Sequence, residues 1–301
     1  MPPDGPEAEA RLAGLKVAVT GHRGFIGRFL VVALRSSGIS VTCVEGDVCS
    51  PGSWTGEFDL LFHLAAAMPQ RFREDPGTGF SVNVEGTLRA LEACRARKAR
   101  MVLASTCGVY SPTVSGAISE DSPVDPRTPY AQSKLMAEML CRSYAEHLGV
   151  ACTVLRLFNI YGEGQKEEFL IPYLLRCAVE GSEAVVYHPE SKRDFVHVTD
   201  AAQALILAGL SESRFGVFNI GSGHPYSVLQ VMEIISHILN RPMAWRPGQT
   251  SKDPQSAVYA QTDHTSKELG WHSAIGLENG LRVAILSMNA SGSEKVMNRE
   301  E

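Results

Sequence analysis

An α/β fold, a doubly wound parallel sheet followed by a smaller C-terminal lobe, is what three features of the sequence predict. Leu15 to Leu30 reads LKVAVTGHRGFIGRFL: an apolar strand, a glycine turn and a helix starting near Phe25. Leu60 to Ala67 (LLFHLAAA) is an unbroken apolar run of strand length, as a parallel strand covered on both faces requires. From there to Leu157 strands and helices alternate at the pace of βαβ units, and beyond Tyr161 that rhythm changes.

In the first unit Gly21, Gly24 and Gly27 fall at GxxGxxG spacing. Such spacing lets the backbone turn tightly, lets a pyrophosphate approach where a Cβ would intrude, and packs the helix closely on its strand. The N-terminus of that helix, at Phe25 and Ile26, offers free N–H groups and the positive end of its dipole to phosphates. A bare strand-turn-helix corner is the alternative. Gly38 stops the helix, and Ser40 to Val44 forms a second strand followed by Glu45. An acidic side chain about twenty residues past the glycines accepts hydrogen bonds from ribose hydroxyls; a solvated loop charge is the blander alternative. The Leu60 run comes next, then a helix over Asn83 to Arg97 and a strand over Met101 to Ala104. Pro129 opens a helix running from Tyr130 to Leu148, which Gly149 ends, before a strand over Ala151 to Leu157. The later region has fewer buried strands: helices at Phe169 to Val179, Ser227 to Leu239 and Leu277 to Ser287, and a short strand at Ala184 to Tyr187.

The 301 residues are 44% apolar and 20% charged with a net charge of −5, a balance that fits a globular protein and gives no basic surface for nucleic acid. The seven cysteines make no CxxC pair, which argues against a disulfide framework or zinc site and for a reducing, cytoplasmic setting. Met1 to Ala13 lacks the apolar stretch of a signal peptide and is expected to be disordered. No run approaches the roughly 18 apolar residues of a membrane helix.

Tyr130 and Lys134 lie four apart on one helix and share a face. A phenol titrates near pH 10 and is a poor base at neutrality. A neighbouring ammonium can lower that value by about 1–3, so that the phenol exchanges a proton with a hydroxyl or ketone. Thr106, at the end of the Met101 strand, offers a hydroxyl at the same sheet edge. YxxxK alone equally describes a solvated helix face. Its place after the glycine turn and after a strand ending in Ser105-Thr106 favours chemistry.

With these motifs the chain resembles the extended short-chain dehydrogenase/reductases, in their nucleotide-sugar epimerase/dehydratase branch, from about Leu15 to Leu281. The matching segments are HLAA (His63 to Ala66), NVEGT (Asn83 to Thr87), STCGVY (Ser105 to Tyr110), PYAQSK (Pro129 to Lys134), LRLFNIYG (Leu155 to Gly162), RDFVHVTD (Arg193 to Asp200), FNIGSG (Phe218 to Gly223) and ELGW (Glu268 to Trp271). The resemblance implies a Rossmann sheet with a C-terminal substrate-binding lobe and a catalytic Thr106, Tyr130 and Lys134, with Lys134 also on the nicotinamide ribose. It implies cofactor contacts from Asp47, Val48, Leu64, Ala65, Ala66, Asn83 and Phe158, and substrate contacts from Met68, Thr106, Asn159, Arg193 and Arg246. His63 and His197 are expected to be structural, and Asp200 a helix N-cap.

The domains expected are a dinucleotide-binding part over 14–165 and 193–222 and a lobe over 166–192 and 223–289. Tails over 1–13 and 290–301 flank them. Dehydratases and decarboxylases of this branch carry one or both acidic residues in the two positions after the catalytic Thr. Here these are Cys107 and Gly108, which removes weight from elimination and decarboxylation. The expected activity is an NAD-dependent 4-epimerase of a nucleotide sugar. A 4-ketoreductase of a nucleotide-linked 4-ketosugar and a non-catalytic cofactor sensor are the alternatives. Glu45 favours NAD, whereas Arg23 is placed to pair with a 2′-phosphate, so NADP stays open. Gln249 and the competing Asp253-Pro254 leave the nucleotide undefined. A homodimer is implied, with Leu88, Leu91, Leu135 and Met139 as the apolar seam.

Overall fold

The computed structural model describes residues 11, 12, 14–249 and 257–297, with side chains through residue 288. In chain order the elements begin with β1 (Val17–Thr20), α1 (Phe25–Ser36), β2 (Val41–Cys43), β3 (Leu60–His63), α2 (Pro69–Glu74) and α3 (Pro76–Phe80). A π-helical stretch, Ser81–Glu85, runs into α4 (Gly86–Arg97), and β4 (Arg100–Thr106), β5 (Gly116–Ile118) and α5 (Pro129–His147) follow. Next come β6 (Cys152–Leu157), β7 (Asn159–Tyr161), α6 (Leu170–Glu180), β8 (Ala184–Val186), β9 (Lys192–His197), α7 (Val198–Gly209) and β10 (Phe215–Ile220). The chain continues through β11 (Pro225–Ser227), α8 (Val228–Leu239), β12 (Trp245–Pro247), β13 (Ala257–Ala260), α9 (Asp263–Leu269) and α10 (Leu277–Met297).

Six strands form one all-parallel sheet in the order β10-β6-β4-β3-β1-β2. Its interior strands are buried along most of their length, which is why they read as continuous apolar runs. One face packs Leu30, Leu34, Ala204 and Leu205 of α1 and α7 on Val19, Phe62 and Leu155; the other packs Leu91, Cys94, Ala137 and Cys141 of α4 and α5 on Leu61, Met101 and Val154. The strand order reverses between β1 and β3, and the crevice above that switch point is where a ligand enters such a sheet.

A second core gathers α6, α8 and α10 around Leu174, Val231, Ile235 and Leu281. Between the cores runs the sheet β11-β9-β13-β5, with β7 also on β9. It interleaves the expected domains, since β5 and β9 come from the segments placed in the first and β11 and β13 from those placed in the second. The ends depart from the expected tails. Leu12 is fully buried in the first core and Arg11 pairs with Glu212 at 3.0 Å; α10 continues to Met297, past the expected start of fraying. The rest of both tails, and Asp253-Pro254, lie outside the described residues. The expected apolar seam divides as well. Leu91 is buried in the core and Leu135 packs on Val109, Tyr110 and Ile118, leaving Leu88 and Met139 exposed beside Met136.

Candidate active site

At the end of β1 the chain turns at Gly21, whose φ of +67° suits glycine. A Cβ there would stand 2.6 Å from the Ala65 nitrogen, so the groove between this turn and the end of β3 is walled by bare backbone. Gly24 N–H donates to Gly21 O at 2.9 Å, and a Cβ on Gly27 would overlap that same oxygen. No side chain caps α1, which leaves the N–H groups of its first turn, around Phe25 and Ile26, turned to whatever fills the groove. These features fit a dinucleotide pyrophosphate.

At the end of β2, Glu45 does not stand free for a ribose as the sequence predicts. Arg23 reaches it at 2.9 Å and the His22 ring at 3.2 Å. The two side chains expected to act on the ribose separately therefore neutralise one another. Asp47 accepts from the Cys49 and Ser50 N–H groups through its carboxylate and carbonyl, forming a tight turn that delivers Val48 into a buried position. Leu64 to Ala66 line the crevice with half-buried side chains. Asn83, in the π-helical stretch, is fully engaged: Oδ1 accepts from Ala67 N–H at 2.7 Å, while Nδ2 donates to Ala67 O and to Ser133 Oγ. Its role is to hold the crevice loop on α5; no donor is left over for a cofactor.

His63 closes β3 in a chain of hydrogen bonds. Thr20 Oγ1 accepts from the Leu64 and Ala65 N–H groups, so its own proton goes to His63 Nδ1 at 2.9 Å. Thr87 gives its proton to Asn83 O, so His63 Nε2–H donates to Thr87 Oγ1. The ring is a neutral, structural group, as expected, and burial pushes its pKa down to about 3.

The reacting end lies at the carboxyl edge of β4. Thr106 Oγ1 accepts from Gly108 N–H at 3.1 Å, and the side of Gly108 faces both Thr106 and Ala131 of α5. Thr128 caps α5, with Pro129 in its first turn, so Tyr130 enters the helix at its first turn. The Tyr130 ring packs edge-on against Phe72 at 6.2 Å. Lys134 is buried and donates to Ala104 O at 2.8 Å. The sequence predicts a lowered phenol. The structure shows the reverse: burial pushes Tyr130 up to about 12, and the Cys107 thiol adds to the shift. Burial likewise brings Lys134 down to about 8 and Cys107 up to about 12.

Beyond β6, Phe158 is buried and Asn159 Nδ2 donates to Asp194 O at 2.9 Å. Asp194 does not pair with its neighbour Arg193. Its carboxylate accepts from Ser222 N–H and Oγ, Gly223 N–H and Ala260 N–H, which ties β9 to the turn after β10 and to β13. Arg193 is left exposed, with its charge acting on Cys107. Met68 is exposed at the start of α2, beside the crevice loop. Arg246 pairs with Glu183 at 3.0 Å on the β8-β12 ribbon and is not drawn into this group. The N-cap of α7 is His197 rather than Asp200, whose carboxylate instead accepts from Ser273, Ala274 and Ile275.

Sequence reading missed Glu138 and Arg156 and gave Ser105 no role of its own. Arg156 sits in the otherwise apolar strand CTVLRL and forms a buried ion pair with Glu138 at 2.8 Å, while Ser105 donates to the same carboxylate. A charge inside an apolar strand was the available signal, because it has to be paired.

The profile of the NAD dependent epimerase/dehydratase family matches residues 17–221. The chain belongs to that family. It is 28% identical over 298 residues to a UDP-glucose 4-epimerase of Corynebacterium glutamicum, covering 85% of this chain and 90% of that protein. It is 30% identical over 295 residues to a GDP-6-deoxy-D-mannose reductase of Pseudomonas aeruginosa, covering 90% and 96%. The solved structure of MoeE5 in complex with UDP-glucose and NAD superposes with a TM-score of 0.83 at 30% identity, covering 92% of this chain and 99% of that one. This member of the family is an NAD(P)-dependent enzyme of nucleotide-sugar chemistry with a Rossmann-type sheet. Among the described residues no helix is long and apolar enough to cross a membrane.

Proposed function

We propose that the protein is an NAD-dependent 4-epimerase of a nucleoside-diphosphate sugar. The observation that carries this reading is the Arg23–Glu45 contact. It pairs the cation that would hold a 2′-phosphate with a carboxylate that such a phosphate would have to displace, which favours NAD over NADP. The acid-free end of β4, Cys107 and Gly108, weighs against elimination and decarboxylation, and burial keeps the thiol protonated.

Bound NAD supplies a hydride acceptor and donor at the sugar carbon and a positive charge in the site. Burial favours the protonated Tyr130 phenol, so before it acts as a base its proton has to pass to solvent, a loss that the positive charges of Lys134 and of an oxidised nicotinamide would favour. Tyr130 then takes the 4-hydroxyl proton as the alcohol becomes a ketone and returns it after the sugar has turned. The Thr106 hydroxyl orients that oxygen, and the Lys134 ammonium offsets the phenolate charge. Arg193 and Asn159 would hold the diphosphate, a group suited to a guanidinium.

The test is incubation with UDP-glucose, with sugar analysis and absorbance at the nicotinamide band followed together. Epimer formation without net NADH change is the expected result. The reductase relative favours a second reading, a 4-ketoreductase, for which NAD(P)H would be consumed stoichiometrically with a ketosugar. For either enzyme Tyr130→Phe should lower kcat by about 10²–10⁴-fold while NADH still binds; unchanged turnover would remove Tyr130 from the chemistry and overturn the mechanism for both.

A further inference from the structure

Below the reacting edge, three adjacent residues of β4 each hold a different part of the site. Ala104 O accepts from Lys134, Ser105 Oγ donates to Glu138, and Thr106 carries the hydroxyl. Glu138 lies one helical turn past Lys134 on α5. Arg156, opposite Ser105 in the β4-β6 register, meets its carboxylate through Nε (3.3 and 3.2 Å) and a terminal nitrogen (2.8 Å). Side-chain exposure is 7% for Arg156 and 5% for Glu138, so neither charge is offset by water. The guanidinium is braced above the Tyr110 ring at 4.8 Å and donates to Glu120 O. Two and three residues past Arg156, just beyond the end of β6, stand Phe158 and Asn159.

We propose that Glu138 is a positioning residue, which through Arg156 and Ser105 locks α5 to β4 and β6 and so holds Lys134 on Ala104 O, two residues before Thr106. The proposal rests on the reading of Tyr130 and Lys134 as the reacting pair. A buried ion pair is a costly way to join a helix to a sheet, since apolar residues of similar volume do it as well or better. What an apolar pair cannot supply is a negative charge one turn from a buried ammonium. Glu138 and Cys141 on its own helix and the neutral His63 on β3 bear on Lys134; Tyr130 stands one turn before it on α5, and Arg156 on β6 offsets part of the Glu138 charge. Burial drives the ammonium toward neutrality, and the Glu138 charge opposes it.

The experiment compares the parent with Glu138→Gln, Glu138→Asp and the double replacement Glu138→Met with Arg156→Met. Thermal unfolding, NADH affinity by nicotinamide fluorescence and UDP-glucose turnover are followed over about pH 6–10. In Glu138→Gln the alkaline loss of NADH affinity and of kcat should move about one pH unit toward acid. The same variant should lose about 10-fold or more in kcat, with KM changed far less. Glu138→Asp should return the alkaline limb toward the parent position. The double replacement should keep the parent Tm and still show the displaced limb. It decides the matter if Glu138→Gln does not fold. An alkaline limb that stays put, with kcat following Tm, would make the pair purely structural and overturn the proposal. A parent that binds NADH but leaves UDP-glucose unchanged would count against the epimerase reading for that sugar, while the NADH limb would still report on Glu138.

Discussion

His63 shows what one side chain contributes when its neighbours fix its tautomer. Both ring nitrogens are committed, Nδ1 as acceptor from Thr20 and Nε2–H as donor to Thr87, and the ring is buried. A second proton would break the Thr20 contact, which by itself already holds the Leu64 and Ala65 N–H groups of the crevice. Its folded pKa of about 3 lies below the usual 6.5, so the unfolded chain binds the extra proton between those values. Stability contributed by the neutral ring is therefore whole above pH 6.5 and falls as pH drops toward 3, by several kcal/mol in all. Urea unfolding of the parent should show this loss, and His63→Gln, which keeps a donor for Thr87, should flatten it over the same range. The residue's structural character was legible from its place in an apolar run. The site residues that the sequence hid are those whose partners are far off in the chain. Glu138 and Arg156 look like unrelated charges until α5 packs on β6, and Arg23 and Glu45 look like rivals for one ribose until β2 lies beside β1.

Among the elements, the glycine turn and α1 form the least tolerant joint. Gly27 packs its α-carbon against Gly21 O and His22, which are backbone atoms that cannot step aside. Gly27→Ala should cost about 1–3 kcal/mol or more and lower Tm, and should weaken NADH binding beyond what the lost stability explains, as measured by calorimetry and nicotinamide fluorescence. Helix and strand positions were largely legible, because proline, glycine and caps mark them: Pro129 and Gly149 bracket α5, and Ser227 with Gln230 forms a capping box on α8. Two elements read less well. The LLFHLAAA run continues as strand only to His63, since Leu64 and Ala65 turn their N–H groups to Thr20 rather than to a neighbouring strand. The helix expected from Asn83 opens with the π-helical stretch, where the widened turn places Asn83 on Ala67. Neither detail has a signature in residue spacing, because both depend on a hydrogen-bond partner elsewhere.

At the scale of the whole molecule, the doubly wound sheet followed from the alternation of apolar runs and helices. The interleaved second sheet did not, since β5, β11 and β13 are only three or four residues long and β9, though six residues long, finds its partners far off in the chain. The outer faces of α4 and α5 leave Leu88, Met136 and Met139 exposed, at 36%, 47% and 63%, on neighbouring helices. We expect two copies of the chain to pair through this face. Sedimentation at micromolar concentration should give a dimer, and Met139→Glu should shift it to monomer with Tm measurably lower. The place of β10 has a consequence in time. This strand completes the large sheet by pairing with β6, yet β7, α6, β8, β9 and α7 come between them in the chain. A ribosome adding about 5–20 residues per second would expose the open rim of β6 for seconds before β10 emerges. During that interval the nascent chain presents an unpaired strand edge, and it is then, more than at any point in its folded life, that it needs shielding from its neighbours.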